Sequence, residues 1–290
     1  MKPARGTAER AAGGTARGNG LDLRRAAAQL GGEQVEGHHA VRALFSAGKR
    51  RATRLWVAEP RSSASALAEI VELARSQRTR VDFKSTAQLA SASLTAAPQG
   101  VIAWASPVRA VSLDGLVETS RPVPFLVVLD GVTDPGNFGA LLRSAACAGA
   151  TGVIIRRHRA APLTAAAMKA AAGAAEVLPI AQVPGIPAAL GTLAKAGIWV
   201  AGLEPGAGES IWSSPLLDGP VAIVLGSEGE GLSRLVRERC DSLLEVPQAQ
   251  VLGSLNVSAA AAVGCFEVAR RRLGRGDPKA GPENVQEFGC

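Results

Sequence analysis

Residues 125–145 read FLVVLDGVTDPGNFGALLRSA, and this stretch decides the fold. Phe125 to Leu129 form an unbroken apolar run, the pattern of a strand buried on both faces of a parallel sheet. Asp134-Pro135-Gly136-Asn137 then has the composition of a tight turn, with Asn137 read as the N-cap of a helix over FGALLRSAACAG. Ligands of open parallel sheets collect at the carboxyl ends of strands, so Asp134, Asn137 and Arg143 stand at the edge of a binding site. Arg143 lies about 9 Å along the helix from Asn137, and helical side chains lean toward the N-terminus, so its guanidinium is expected to return to the loop. Flanked by Leu141, Leu142, Ala145 and Ala146, it calls for an anion or a carboxylate.

Two later segments carry the same signal. In VAIVLGSEGEG (221–231) a strand feeds the glycine-rich turn Gly226–Gly231, where a ligand can approach backbone amides. A nucleotide-triphosphate loop is excluded, because Gly-x-x-x-x-Gly-Lys is missing and Glu228 and Glu230 would repel phosphates. The Gly-x-Gly-x-x-Gly dinucleotide fingerprint after the first strand is also missing. The acidic turn suits a neutral or cationic adenosine derivative. In LLEVPQAQVLGSLNVSAAAAVGCFEVARRR (243–272), Ser254-Leu255-Asn256-Val257-Ser258 feeds a helix rich in small residues and ending in arginines. Taken alone, that segment is an N-cap and a closely packing helix.

From Phe125 onward strands and helices alternate: FLVVLD, FGALLRSAACAG, GVIIR, TAAAMKAAAGAA, VLPIAQV, IPAALGTLAKAG, IWVAGLE, VAIVLG, GLSRLVRERC, SLLEVP and a helix from about Leu255 to Arg272. The pattern predicts a doubly wound parallel α/β sheet over 125–275. Upstream, a smaller α/β layer domain over 33–106 begins with a helix at AVRALFSAGK and continues through RLWVAE, SASALAEIVELARSQ, RVDFK, TAQLASAS and GVIAWAS. Residues 1–32, rich in Gly, Ala and Arg without apolar periodicity, read as a flexible basic arm. Residues 107–124, with Pro107, Pro122 and Pro124, read as a linker in which VSLDGLVET forms a short helix. Residues 276–290 read as a frayed tail.

The formal net charge of +7 in a 290-residue chain favours a polyanionic partner. Basic residues gather as Lys49-Arg50-Arg51 with Arg54, as Arg156-Arg157 with Arg159, and as Arg270-Arg271-Arg272 with Arg275. Each cluster alone is equally a solvated face or a helix C-terminus. With no tyrosine and 3% aromatic residues, stacking of single-stranded bases cannot dominate, and shape and phosphate contacts must carry nucleic-acid binding. The four cysteines show no Cys-x-x-Cys spacing and no nearby histidine pair, which argues against zinc and against a disulfide framework. No apolar stretch approaches the roughly 20 residues needed to span a bilayer, and the N-terminus lacks an apolar signal core, so a cytoplasmic protein is expected.

LDGVTDPGNFGALLRSA, LGSEGEGLSRLVRERCDSLLEVP and SLNVSAAAAVGCFEVARRR together resemble the three signature motifs of the SpoU (TrmH-type) RNA 2′-O-ribose methyltransferases of the SPOUT superfamily. The opening VEGHHAVRALFSAGKRR more loosely resembles the small ribosomal-protein-like RNA-binding domain of the 23S rRNA guanosine 2′-O-methyltransferase branch. The resemblance implies a SPOUT sheet with a deep trefoil knot, S-adenosylmethionine bound in a bent form, and a homodimer whose active site draws on both subunits. It assigns Asn137, Arg143, Glu228, Ser254 and Asn256 to the catalytic site, and Gly226, Val246 and Leu255 to the backbone that holds the cofactor's adenine and ribose. Gly136 departs from the bulkier residue of many relatives, and Gln248 and Gln250 from the usual Met and Gly.

The implied reaction transfers a methyl group to a ribose 2′-hydroxyl, most readily of a guanosine in 23S rRNA, and needs no metal. Arg143 is read as an orienter and charge stabiliser, and Glu228 as a candidate proton acceptor, because an arginine pKa above about 12 makes deprotonation costly. The same chemistry on tRNA, or on a 23S rRNA antibiotic-resistance site, is the alternative within this class. An RNA-binding or ribosome-assembly protein without catalysis is the alternative outside it.

Overall fold

The computed structural model describes residues 31–59, 66–120, 122–157, 163–249 and 254–273. The expected tail, and the expected basic arm except Gly31 and Gly32, lie outside the described residues.

The upstream alternation folds into a four-stranded sheet built from β1 (Glu33–Glu36), β2 (Ala52–Ala58), β3 (Arg80–Lys84) and β4 (Val101–Ala105), in the order β1-β4-β2-β3. β4 runs antiparallel to β1 and β2, whereas β2 and β3 are parallel. Helices α1 (His38–Ala47) and α2 (Ala66–Ser76) cover one face through Val41, Leu44, Phe45 and Ile70. On the other face α3 (Thr86–Ala92), started by a Ser85/Gln88 capping box, buries Leu89 against Trp56 and Trp104. β1 lies where the sequence pattern begins with a helix. Its residues EQVE carry one apolar side chain, so pairing with β4, rather than periodicity, makes the strand. Glu36 is buried and satisfied by Ser93, Thr95 and the Leu94 amide, which donates over 2.6 Å.

The downstream half forms a seven-stranded, all-parallel sheet. Its elements in chain order are α4 (Leu113–Thr119), β5 (Phe125–Leu129), α5 (Pro135–Cys147), β6 (Gly152–Arg156), α6 (Ala165–Ala171), α7 (Ala174–Val177), β7 (Ile180–Val183), α8 (Ile186–Lys195), β8 (Trp199–Leu203) and β9 (Glu209–Ser210), followed by a 3-10 turn (Pro215–Asp218), β10 (Val221–Leu225), α9 (Arg234–Arg237), β11 (Ser242–Glu245) and α10 (Val257–Leu273). The strand order is β7-β6-β5-β10-β8-β11-β9, so the FLVVL and VAIVL runs are central neighbours. Every residue of β5 and β10 is buried. Phe125, Val127 and Leu129 pack with α5, α6 and α10 on one face, while Leu126 and Val128 pack with α4 and α8 on the other. Two-sided burial explains why these strands are continuously apolar, each such side chain contributing about 1.5–3 kcal/mol.

Within the proline-bearing stretch before β5, α4 buries Leu116 and Val117 on the large sheet. Leu116 Cδ1 lies 2.3 Å from where a Cβ on Gly152 would stand, so that close approach requires the glycine. The single helix expected over TAAAMKAAAGAA is broken between α6 and α7, where Ala172 and Gly173 have φ of +50° and +99°. The break is where α1 of the small sheet docks: a Cβ on Gly173 would fall 2.3 Å from that of Ala43. Around this point Arg50 donates to Glu176 at 2.7 Å and to Glu33 at 2.8 Å, while Lys49 donates to the Val177 carbonyl at 3.0 Å. One hydrophobic core runs from Val41 and Phe45 of the small sheet's cover to Phe125 and Phe138 of the large sheet.

These contacts redistribute the basic clusters. Arg50 is an internal ion-pair member with 7% exposure. Arg270 and Arg271 pair with Glu267, and Arg272 donates to the carbonyls of Val123 and Pro124. Those arginines lock the last helix in place. Arg156 and Arg157, at the carboxyl end of β6, form no ion pair among the described residues. Among the described residues no helix is long and apolar enough to cross a membrane.

Candidate active site

Because β5, β10, β8 and β11 are parallel neighbours, their carboxyl ends open on one edge, and the three singled-out segments leave the sheet there. After β5 the chain turns through Gly131 (φ +86°) into α5. The cap of α5 is Asp134, whose carboxylate accepts the Asn137 amide at 2.7 Å, and Pro135 takes the first helical position. The sequence had assigned the cap to Asn137 and started the helix at Phe138. Capping by Asp134 frees the Asn137 side chain, which donates to the Glu228 carboxylate.

Glu228 stands on a tight turn after β10, closed by reciprocal bonds of 3.0 Å between Ser227 and Gly231. Those bonds occupy the Ser227 and Gly231 amides, which the sequence reading left open for a ligand. A Cβ on buried Gly226 would fall 2.1 Å from the Gly231 backbone carbon, so only glycine permits the return of the chain. The helix expected over GLSRLVRERC is the single turn α9.

The third member arrives from α10. Asn256 Oδ1 accepts the Ser258 amide at 2.8 Å, which caps that helix, and Asn256 Nδ2 donates to Glu228 Oε1 at 3.0 Å and to Asn137 Oδ1 at 3.1 Å. Two helix N-termini and two amide side chains thus converge on one carboxylate. Asn137, Glu228 and Asn256, spread over 119 positions of chain, form one hydrogen-bonded cluster.

Arg143 is exposed and outside that cluster, with no ion pair or hydrogen bond among the described residues. Six residues turn an α-helix by about 600°, which leaves Arg143 about 120° around α5 from Asn137. The Arg143 guanidinium makes no polar contact with the loop among the described residues. Ser254 is exposed beside the cluster in sequence but makes no hydrogen bond among the described residues. Gly226 and Val246 directly follow β10 and β11, which stand about 10 Å apart with β8 between them. Val246 packs partly on the core, and Leu255 is 40% exposed.

Sequence reasoning passed over Asp130. This residue directly follows β5, is buried, and accepts the Ser233 amide at 2.9 Å, which ties the β5 loop to the segment after the Glu228 turn. A carboxylate directly after a strand buried on both faces was the available signal.

The SpoU rRNA Methylase family model matches residues 124–266, a span that carries the first two segments and most of the third. This chain belongs to the SpoU methylase family. The model described as RNA 2′-O ribose methyltransferase substrate binding matches residues 34–111. The 23S rRNA (guanosine-2′-O-)-methyltransferase RlmB of Pseudomonas putida is 39% identical over 243 residues, 83% of this chain and 97% of that protein. Its namesake in Escherichia coli K12 is 37% identical over 242 residues, 83% of this chain and 99% of that protein. A solved RNA 2′-O ribose methyltransferase aligns with a TM-score of 0.70 at 25% identity, covering 90% of this chain and 97% of the other. The SpoU methyltransferase AviRb of Streptomyces viridochromogenes, solved with AdoMet, shares the fold at a TM-score of 0.70 and 24% identity, over 89% of this chain and 98% of that one.

For this SpoU chain, then, the Asn137–Glu228–Asn256 cluster lies within the span that the family model matches. Cys240 and Cys265 are raised to about 12 by burial and are unavailable as nucleophiles at neutral pH. No group of three metal-ligating side chains is found among the described residues.

Proposed function

We propose that this protein transfers a methyl group from S-adenosylmethionine to the 2′-hydroxyl of a guanosine ribose in 23S rRNA. The observation that carries the reading is the Asn137–Glu228–Asn256 cluster at the shared carboxyl edge of β5, β10 and β11, in a chain alignable over nearly the whole length of RlmB proteins.

The residues at this edge fit the cofactor. Glu228 and Glu230 are exposed on the turn at this edge, and their acidity favours a sulfonium cation and disfavours a phosphorylated ligand. Gly226, Val246 and Leu255 are the positions whose backbone would hold adenine and ribose. When bound, S-adenosylmethionine supplies an electrophilic methyl group and leaves as a neutral thioether.

The protein's own task is alignment and removal of one proton. Glu228, fixed by two amide donors, is the proton-accepting candidate next to the ribose hydroxyl. Asn137 and Asn256 hold that carboxylate and shape the pocket with Ser254. Arg143 orients the substrate phosphate and remains charged throughout. Its position around α5 supports a site completed by a second subunit, in which one protomer's Arg143 faces its partner's Glu228 cluster. The exposed Phe266 and Leu273 on α10 support a homodimer that covers this helix. A trefoil knot passing the chain through the β10–β11 region belongs to the same reading, supported by a strand order in which β10 is inserted between β5 and β8.

The test is mass-spectrometric mapping of 2′-O-methyl nucleotides in 23S rRNA incubated with the purified protein and S-adenosylmethionine. A new 2′-O-methylguanosine at one site is expected. Methylation of tRNA alone, or no binding heat with S-adenosylmethionine, would overturn the proposal.

A further inference from the structure

At the amino ends of the parallel strands β2 and β3 the small sheet carries a cleft of about 280 Å³, lined by Arg51, Ala52, Thr53, Gln77, Arg78 and Thr79. Its lining is polar and its charge one-sided. Arg51 and Arg78 are exposed and form no ion pair among the described residues. Nearby, Arg54 and Arg80 share one carboxylate, Asp82, at 2.6 Å and 3.4 Å. The hydrogen bond from Arg54 holds the Asp82 carboxyl below its ordinary value, so the acid stays ionised and still leaves the surface positively charged.

A second, independent feature concerns how Arg78 is presented. The Arg78 amide donates to the Arg75 carbonyl and the Thr79 amide to the Ala74 carbonyl, both at 2.9 Å. This is the Schellman ending of α2, in which the residue at Arg78 must be left-handed, and its φ is +55°. Glycine takes that position without strain, whereas an arginine there is disfavoured by its own Cβ. The chain thus keeps a long cationic side chain at a position where glycine would be more stable. Gln99 and Ala172 share this backbone conformation, so the φ alone assigns nothing; together with the one-sided charge of the cleft it marks Arg78 as a side chain a ligand would use.

We propose that this cleft binds a phosphodiester of the RNA backbone, with Arg51 and Arg78 as the two cationic walls; the Thr53 hydroxyl and the Gln77 amide between them are held by the carbonyls of Trp104 and Phe45 and shape the cleft. The proposal rests on the RNA methyltransferase reading and adds an anchoring point on the small sheet, remote from the Glu228 cluster. Two guanidinium groups form charge-assisted hydrogen bonds to phosphate oxygens and carry no base specificity.

The experiment uses the full-length protein, wild type and R51A/R78G, with two probes: transcribed 23S rRNA and poly(U). Glycine at position 78 relieves the backbone strain, so R78G alone is expected to raise Tm by about 2 °C. R51A/R78G is expected to bind both RNAs roughly tenfold more weakly at low salt, with the slope of log affinity against log salt smaller by about 1.4 to 1.8. Unchanged affinity and slope in R51A/R78G, with a wild type that binds RNA and transfers methyl groups, would overturn the cleft and leave the enzymatic reading intact. A wild type that binds neither RNA nor S-adenosylmethionine would instead overturn the enzymatic reading. If R78G proves less stable than the wild type, the strain argument fails. R51A with R78N, asparagine being tolerant of the left-handed region, then repeats the binding test.

Discussion

The Arg50 guanidinium donates to the Glu176 carboxylate at 2.7 Å, joining the small sheet to the large one across 126 positions of sequence, with only 5% and 1% of the two side chains exposed. Burial pushes the Glu176 carboxyl above its ordinary value, against the pull of Arg50. Removing the cation alone leaves a charge without compensation, so R50M is expected to cost about 3–5 kcal/mol at pH 7. A raised carboxyl pKa contributes stability that is complete below about 4.5 and is lost as pH rises through the folded value. The R50M penalty should therefore shrink from pH 7 toward pH 5, and R50M/E176L should recover most of it. Urea unfolding across that pH range checks both; a pH-independent penalty removes the electrostatic explanation.

Subunit mixing tests where Arg143 acts. R143A and E228A homodimers are each expected to lose about 10²-fold or more in turnover while remaining folded. If one protomer's arginine serves its partner's cluster, a purified R143A/E228A heterodimer contains one intact site and one doubly disabled site. Its methyl transfer should reach about half of the wild-type rate. Activity no higher than that of the homodimers would place Arg143 and Glu228 in the same chain's site.

Glu267 gives an opposite pH dependence. Hydrogen bonds from Arg270, then from Arg271, hold its carboxyl below the ordinary value although its side chain is 3% exposed. A depressed pKa contributes stability that is present above about 4.5 and is lost as pH falls through the folded value. E267Q should be about 1–2 kcal/mol less stable than the wild type at pH 7 and nearly equal to it at pH 3, as read by thermal unfolding. A constant difference over that range would contradict the pairing.

At Gly226 a methyl group would stand 2.1 Å and 2.4 Å from backbone atoms of Gly231 and Leu232. G226A must open the turn that presents Glu228, with overpacking of about 1–3 kcal/mol. Calorimetry should show S-adenosylmethionine affinity falling more than tenfold while circular dichroism is retained; unaltered affinity would separate this turn from the cofactor site.

Legibility of the sequence followed burial. Two-sided strands such as FLVVL and VAIVL are read directly, because their apolar continuity has one cause. The convergence of Asn137, Glu228 and Asn256 was readable only from the combined motifs, since each segment alone is an ordinary capped helix or turn. What escaped depends on contacts distant in sequence. β1 exists because β4 pairs with it, the break at Gly173 exists because Ala43 presses on it, and Arg50 looked like an RNA contact until Glu176 lay beside it. For Arg143 the rise along α5 brings it within reach of the loop, whereas the rotation about the helix axis turns it away from Asn137.

The continuous core through Phe45 and Phe138, closed by the ion pair at Glu176, joins the two sheets. With the cleft and the Glu228 assignment as proposed, this joint sets the separation between a backbone anchor on the small sheet and the proposed proton acceptor, like the jaws of a caliper. On that proposal a target would be chosen by whether its folded shape spans the gap, which suits a chain with no tyrosine and few rings to read bases.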